Sequence, residues 1–583
     1  MAKTTRPLTR CLFLLLLSSL LGISANPTPL SAAPASQGIP DVRFGVIEAY
    51  DAPAQASALG AGWERITFEW NQIQPNGSHE WVEFPVADAV LDAERGAGRE
   101  LVGLLVTTPG WATDWGRGAG VPQGLYLPAS DPQNTWATFV RTMVSRHQGR
   151  IRHWIIWNEP DIWDTHFQSW GGSVEDFVQL MRVAYVVAHE VNPNVVIHLP
   201  AITHWWDANY GRELFMRRFL QALTSDPLAA EHNHYFDAFT LHIYFNPDTV
   251  YNLSRFYYGL LAEHGIYKPL WIVETNAAPS DDPAWPVPAP QFQITQEDQA
   301  AFVIQGFAMA LAAGAQRVAF YKLADLSSDT ANPEPFGLIR LDGSRRPAFT
   351  AYQTASSYLA GFQSATLDRR DDAAVVTVQR AAGWTTVLWA RGPQAVTVQV
   401  PAHAASARLI DWRGSARTLS AQAGQYTLTL PGSPCTQPAD PCLIGGAPYL
   451  LVEGSVPAGP APAPVQATAT PQLSNPVASL TPTATAPAMP TATSTATRTP
   501  VPTRTPRPTL TPSVTPTPTA TATPTPTATS TATATALPAS PTLQATAASA
   551  PQESRAVPWP GLVLVMVALV GWGIFRGRAH QGG

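Results

Sequence analysis

Two short strings set a glutamate at the end of an apolar run: Trp157-Asn158-Glu159-Pro160 and Trp271-Ile272-Val273-Glu274-Thr275-Asn276. A carboxyl directly after a buried strand adds nothing to packing, and a structural one would want an arginine partner. Two carboxyls that face each other are what glycoside hydrolysis requires. One protonates the departing oxygen, and the other attacks the anomeric carbon or activates a water. Their mutual repulsion raises one pKa, so one stays protonated while its partner is ionised. A single strand-end glutamate would be weak evidence; the pair, with Asn158 before the first, is strong.

Elements that could position such a pair are legible along the chain. Apolar runs at Val42–Glu48, Trp63–Trp70, Leu101–Thr107, His153–Glu159, Val195–Ala201, Phe239–Tyr244, Leu270–Glu274 and Val318–Leu323 read as eight strands. Most are continuously apolar, as strands covered on both faces should be. Helical signals lie between them. Ser173-Val-Glu-Asp176 resembles a capping box and opens an amphipathic run closed by Asn192-Pro193. Thr295-Gln-Glu-Asp298 opens another, closed by Gly314. The alternation predicts an α/β fold, a (β/α)8 TIM barrel over 38–358. A doubly wound open sheet is the competitor, but no Gly-rich phosphate loop follows the first strand. In the barrel the two glutamates fall on strands four and seven, at the end where chemistry occurs.

Downstream the rhythm changes. From 362 to 455, short alternating runs (374–380, 384–390, 396–400, 407–412, 426–430 and 449–452) predict a small antiparallel β-sandwich with a packing or accessory role. Residues 456–557 form a disordered Thr/Pro/Ala-rich linker: of the chain's 56 prolines, 21 lie between Pro457 and Pro551, and no aromatic residue does. Such a stretch cannot bury enough apolar surface to offset the entropy of ordering it. Lys3, Arg6 and Arg10 precede an apolar run, so 1–33 reads as a signal peptide. The uncharged run Trp559–Phe575, followed by Arg576 and Arg578, reads as a transmembrane helix over 558–576 with a cytoplasmic tail at 577–583. A sorting signal removed on transfer to the cell wall is the alternative there. The expected location is the extracellular face of the membrane, in a single pass with the C-terminus cytoplasmic. Cys435 and Cys442, alone on a Pro-rich loop, read as one local disulfide. Net charge is −6, with no basic run in the folded part, which argues against a nucleic-acid partner. His198, His204, His232 and His234 lack a carboxylate pattern that would hold them on one rim, so neither a metal nor another cofactor is expected. The chain is expected to be a monomer.

The Asn158-Glu159-Pro160 and Ile272-Val273-Glu274-Thr275 strings resemble those of the retaining glycosidases of glycoside hydrolase clan A, which includes the family 5 and family 39 enzymes. The match spans roughly 41–355. Arg65 on strand two, Thr108-Pro-Gly-Trp111 after strand three, and His242-Ile-Tyr244 on strand six also fit. Gly337 to Gly343, leading to Arg346-Pro347-Ala348, resembles the family 39 ending, and a trailing sandwich suits that group. By that resemblance Glu159 is the acid/base and Glu274 the nucleophile, and hydrolysis proceeds with retention through a covalent glycosyl-enzyme. Asn158 would bond the sugar 2-hydroxyl, and Arg65 and Tyr244 would keep Glu274 ionised and oriented. Many clan members place a tryptophan on strand eight as the floor of the sugar subsite; here Tyr321 stands there, which opens the identity of the sugar. Glu48, ending strand one, could touch substrate or serve a cap or ion pair. His242 lines the barrel, and Trp111 offers an indole wall. The implied partner is an oligo- or polysaccharide with β-linkages. A non-catalytic carbohydrate-binding protein would have lost one carboxylate, and this chain keeps both; a wall-remodelling transglycosylase would share the first half-reaction.

Overall fold

The computed structural model describes residues 40–82, 86–115, 118–164, 168–326, 334–435 and 442–455. The expected signal peptide (1–33), linker (456–557), transmembrane helix (558–576) and tail (577–583) lie outside the described residues. Among the described residues no helix is long and apolar enough to cross a membrane.

Eight parallel strands form one sheet: β1 (Phe44–Val46), β2 (Trp63–Glu69), β3 (Glu100–Val106), β4 (Ile151–Ile156), β5 (Val196–His198), β6 (Phe239–His242), β7 (Leu270–Thr275) and β8 (Arg317–Phe320). Their order is β5-β4-β3-β2-β1-β8-β7-β6. Bridges of His198 with Ala238 and Ile202 with Leu241, and a bond from Leu199 N to the Ala238 carbonyl (2.9 Å), join β5 to β6 and close the ring. The helices Pro53–Leu59, Asp88–Gly96, Thr135–Arg146, Val174–Val191, Phe215–Ser225, Pro247–Glu263, Gln296–Ala313 and Pro347–Leu359 follow strands one to eight in turn, completing a (β/α)8 barrel.

Both expected capping boxes are present: Ser173 and Thr295 each accept from the backbone N–H three residues on, and Asp176 and Asp298 reach back. The interior is filled by rings from strands that are not neighbours. Trp63 of β2 and Trp271 of β7 lie 5.4 Å apart between ring centres, and His153 of β4 lies 4.7 Å from Trp271. Gly45 and Gly103 make room for this filling, since a Cβ at either would come within 2.3 Å of the Trp63 or Trp154 indole.

The observed strands are mostly shorter than the apolar runs that announced them. β4 stops at Ile156 because Trp157 turns left-handed (φ 71°) and leaves the ladder, although its side chain stays buried. Glu159 therefore stands on the turn beyond the strand, whereas Glu274 lies within β7.

Eight antiparallel strands follow: β9 (Phe362–Arg369), β10 (Ala373–Arg380), β11 (Gly383–Ala390), β12 (Val396–Pro401), β13 (Ser406–Asp411), β14 (Ala416–Ser420), β15 (Gln425–Leu430) and β16 (Tyr449–Gly454). Six pair in the order β14-β13-β16-β11-β10-β9, and β12 pairs with β15. Val375, Leu388, Val400, Leu409, Tyr426 and Leu428 are buried between the two sheets. The sequence missed β9 and β14, the two edges of the larger sheet, whose side chains are largely exposed and carry little hydrophobic pattern. The other face of that sheet, with Val376, Val387, Trp389 and Ile410, joins the core of the barrel. Gln305 donates to the carbonyls of Gly445 (3.1 Å) and Gly446 (2.9 Å), fastening the barrel helix Gln296–Ala313 to this domain. Cys435 and Cys442 form the expected disulfide.

Candidate active site

The turn after β4 is built to aim one side chain. Trp157 and Glu159 both adopt left-handed backbone (φ 71° and 45°), which costs energy for residues with a Cβ. Several bonds hold it there. Trp157 N donates to the Leu105 carbonyl (2.8 Å), Glu159 N to the Ala201 carbonyl (2.9 Å), and Trp157 Nε1 to the Ser169 carbonyl (2.8 Å). The Ser169 hydroxyl donates to the Glu159 carbonyl. Across the mouth, the pairing of β6 with β7 shifts register between Leu241 and His242, which sets His242 opposite Glu274. A bulge beside a site is a common way to re-aim a side chain.

These devices bring Glu159, Glu274, His242, Arg65 and Tyr244 together. Arg65 Nη1 lies 2.5 Å from Glu274 Oε1, and the Tyr244 hydroxyl donates to Glu274 Oε2 at 2.5 Å. His242 Nδ1 is 2.6 Å from Glu159 Oε1 and 3.5 Å from Glu274 Oε2. An arginine donor faces His242 Nε2 at 3.5 Å, so the consistent tautomer carries its proton on Nδ1 and donates it to Glu159. One oxygen of Glu159 and one of Glu274 lie within 4.8 Å of each other, and both residues are at most 2 % exposed.

The electrostatics separate the two acids. Burial is the largest influence on Glu159 and pushes its pKa up; His242 opposes this, and the charge of Glu274 adds to it. Burial also acts to raise Glu274, but His242, Arg65 and Tyr244 together overcome it and hold that carboxyl below its ordinary value. Burial and the neighbouring Glu274 drive the Tyr244 hydroxyl far above its usual range, so it remains a donor. The two carboxyls are thereby pushed apart, Glu159 toward keeping its proton and Glu274 toward losing it.

Glu159, His242 and Glu274 could in geometry surround a cation. Arg65 and Tyr244 already occupy both oxygens of Glu274, and the guanidinium puts a fixed positive charge where a metal's charge would sit. The donor set does not fit a metal.

The remaining expected residues divide. Asn158 is buried beside Glu159. Tyr321, just past β8, lies 6.5 Å from the Tyr244 ring, at the mouth. Glu48 has left-handed backbone (φ 59°) and pairs with Lys322 Nζ at 3.2 Å, so the ion-pair alternative is the one observed. Trp111 is packed edge-on against Trp70 and donates its Nε1 to the Gln74 carbonyl (2.7 Å); no contact places it on the two carboxyls.

Sequence reasoning passed over three residues. Lys322 is the buried partner of Glu48. Asn276 donates to the carbonyls of Tyr321 (2.7 Å) and Phe336 (2.8 Å), joining the ends of β7 and β8. Asp161 Oδ2 accepts from Thr203 N (2.8 Å), the Thr203 hydroxyl (2.8 Å) and His204 N (2.9 Å), pinning the turn after β5 to the one that carries Glu159. Burial, and then the charge of Glu159, raise its pKa to about 7. The only available signal was position: Asp161 and Asn276 each stand two residues beyond a marked glutamate.

No protein-family model and no curated protein matches the chain. Solved structures do share the fold. A family 39 glycoside hydrolase from the gut symbiont Bacteroides cellulosilyticus WH2 superposes with a TM-score of 0.51 at 17% identity, over 71% of this chain and 81% of that one. A GH30 endoxylanase from Clostridium papyrosolvens C71 aligns with a TM-score of 0.48 at 12% identity, over 72% of this chain and 98% of that one. The likeness to the family 39 structure supports the fold alone, and the chemistry must be argued from the site.

Proposed function

We propose that the protein is a retaining glycosidase of β-linked glycans, with Glu159 as acid/base and Glu274 as nucleophile. One observation carries the reading: two buried carboxyls, with oxygens within 4.8 Å, stand at the mouth of the barrel in surroundings that push Glu159 up and Glu274 down in pKa. A nearest-oxygen separation within 4.8 Å is compatible with the ~5–5.5 Å between carboxyl groups in retaining enzymes. The fold shared with a family 39 glycoside hydrolase agrees with it.

In the first step a Glu274 oxygen bonds to the anomeric carbon as the bond to the leaving oxygen breaks, and Glu159 gives that oxygen its proton. In the second, Glu159 takes a proton from water, the water oxygen bonds to the same carbon, and the ester to Glu274 breaks. Arg65 and Tyr244 keep the nucleophile ionised and oriented, and His242 steadies Glu159. Asn158 contacts the sugar 2-hydroxyl, Tyr321 lies under the ring, and Glu48 and Trp111 border the subsites. We also propose that the 1–33 leader exports the chain and the 558–576 segment anchors it at the extracellular face of the membrane. Recovery of the full chain in the soluble fraction of broken cells would overturn the anchor.

The test is a screen of aryl β-glycosides and polysaccharides with the full chain beside Glu159→Ala and Glu274→Ala. Azide is expected to restore turnover of an activated aryl glycoside in both variants, yielding the β-azide from the first and the α-azide from the second. Turnover like that of the unsubstituted protein in either variant would sink the assignment.

A further inference from the structure

A groove of about 590 Å³ opens beside the turn that carries Glu159. Pro160, the next residue, lines it, and it lies between the start of the helix Val174–Val191 and the helix Phe215–Ser225. The reaction does not use it, yet its lining is unlike an ordinary crevice between two helices. Trp163 and Trp170 supply indole surface, Gln168 and Gln221 supply amides, and Arg212 and Arg218 enter from the far wall.

The two arginines are the informative part. Both approach one carboxylate, the buried Asp207, but each only to 3.6 Å, which is long for a hydrogen bond. Asp207 Oδ2 is engaged instead by the backbone N–H of Phe215 at 2.6 Å. Two guanidiniums thus share Asp207 at a distance, with Arg212 also feeling the buried Asp161 and Arg218 Nε donating to the Glu213 carbonyl (3.1 Å). Burial, and then the repulsion of Arg218, make Arg212 harder to keep charged. Arg212 also lies over the Trp163 ring, 5.1 Å from its centre, so guanidinium and indole present one composite surface. The lining holds a single carboxylate, the exposed Glu175. Two guanidiniums gathered on one wall suit a planar or tetrahedral oxyanion, and indoles suit the face of a pyranose.

We propose that this groove is a leaving-group subsite that takes a pyranose bearing a carboxylate or sulfate, so that the glycan attacked is an acidic one. The proposal rests on the reading of Glu159 as the acid/base, since that residue decides which side of the scissile bond the groove serves.

The probes are oligosaccharides of glucuronoxylan, alginate and chondroitin, each beside its carboxyl-reduced form, together with chondroitin sulfate beside its desulfated form. Affinities are measured calorimetrically on the full chain in a Glu274→Gln background, where nothing is turned over. At least one acidic probe is expected to bind tenfold or more tighter than its neutral counterpart. The preference should vanish in Arg212→Gln/Arg218→Gln and in Gln221→Glu, which brings a negative charge into the groove while leaving both arginines in place. The carboxyl and sulfate pairs tell the two anions apart. With Glu274 restored, turnover of a small aryl β-glycoside is measured on each groove variant beside the unsubstituted protein, to check that the fold and both glutamates are intact. Equal binding of acidic and neutral probes, or a preference that survives both variants, overturns the subsite. Loss of aryl-glycoside turnover together with the preference also overturns it, since the arginines would then be supporting the fold. An arginine-dependent preference in a chain that turns over no glycoside would leave the groove standing as an anion site and remove the hydrolase reading.

Discussion

The barrel buries charge at both ends, and the two ends treat it differently. Toward the N-terminal ends of the strands, Glu100 bonds His153 Nε2 (2.9 Å) and Arg317 Nη2 (2.8 Å), and His153 Nδ1 meets His198 Nε2 at 2.9 Å. The carboxylate accepts, so His153 carries its proton on Nε2 and His198 donates to it in turn. Burial works to raise Glu100, but His153 and Arg317 bring its pKa down to about 2; burial holds His153 and His198 low and therefore neutral. Glu100 is thus bonded to a guanidinium, with Arg152 and Arg43 adding positive charge nearby. At the mouth, among the described residues, two carboxyls share one guanidinium, Arg65, with a histidine between them. A buried surplus of negative charge favours retaining a proton, and burial together with the charge of Glu274 shifts that preference to Glu159. Balance at the base serves the fold; imbalance at the mouth leaves an acid ready to react.

The largest effects should come from removing the surplus itself. Glu159→Ala is expected to lower kcat/KM on aryl glycosides with poor leaving groups by on the order of 10²–10⁴, and far less when the leaving group needs no proton. Glu274→Ala should be severe with every leaving group, and equal sensitivity in the two variants would break the division of roles. Next comes Arg65→Met. Losing a bond to a charged group is worth about 1.5–3 kcal/mol, or roughly ten- to hundredfold in kcat/KM. Because Arg65 holds the pKa of Glu274 down, the acid limb of the pH–rate profile should also move to higher pH. An acid limb that stays in place would mean that Glu274 is not the group whose ionisation is required.

How much of this could be read beforehand depends on what signals a residue. Glu159 and Glu274 were legible because a charge that ends an apolar run violates the local pattern. Arg65, His242 and Tyr244 lie on or just past strands already marked, and the resemblance assigned them. The eight barrel strands showed for the same reason: burial on both faces leaves continuous apolar runs. Asp161, Asn276 and Lys322 act through contacts between turns far apart in sequence, for which local pattern carries no signal. Trp111 shows a different limit: an indole on a strand-to-helix loop gives no sign in the sequence of the Trp70 and Gln74 contacts that fix its orientation. The groove arginines were invisible for a further reason: Arg212 and Arg218 matter by their shared relation to Asp207, which only the folded chain makes.

At the base the expectation reverses: stability should fall and activity should not. Glu100→Gln removes the anion that both His153 and Arg317 face, at a cost of about 1–3 kcal/mol in urea unfolding, with kcat/KM on a small aryl glycoside unchanged. A carboxyl whose folded pKa lies below its unfolded value, ordinarily about 4.3, stabilises above that value. The difference between Glu100→Gln and the unsubstituted protein should therefore be full near neutrality and shrink as the pH falls from about 4 toward about 2. A constant difference across that range would point to lost packing instead of a lost ion pair.

The smallest effect makes the sharpest contrast, because its sign is opposite. Glu159 has its folded pKa raised by burial and by Glu274, so its contribution to stability is complete below the unfolded carboxyl value and drains away as pH rises toward the folded one. Glu159→Gln keeps the shape of the side chain and can still meet His242, but it has no proton to lose. Its unfolding midpoint in urea should match that of the unsubstituted protein under acid conditions and exceed it slightly as the pH becomes alkaline, while turnover is lost. A mouth variant that is inactive and more stable, set beside a base variant that is active and less stable, separates the two networks by their purpose. If Glu159→Gln instead loses stability at every pH, the carboxyl at the mouth is a structural partner like Glu100, and the distinction between the two ends fails.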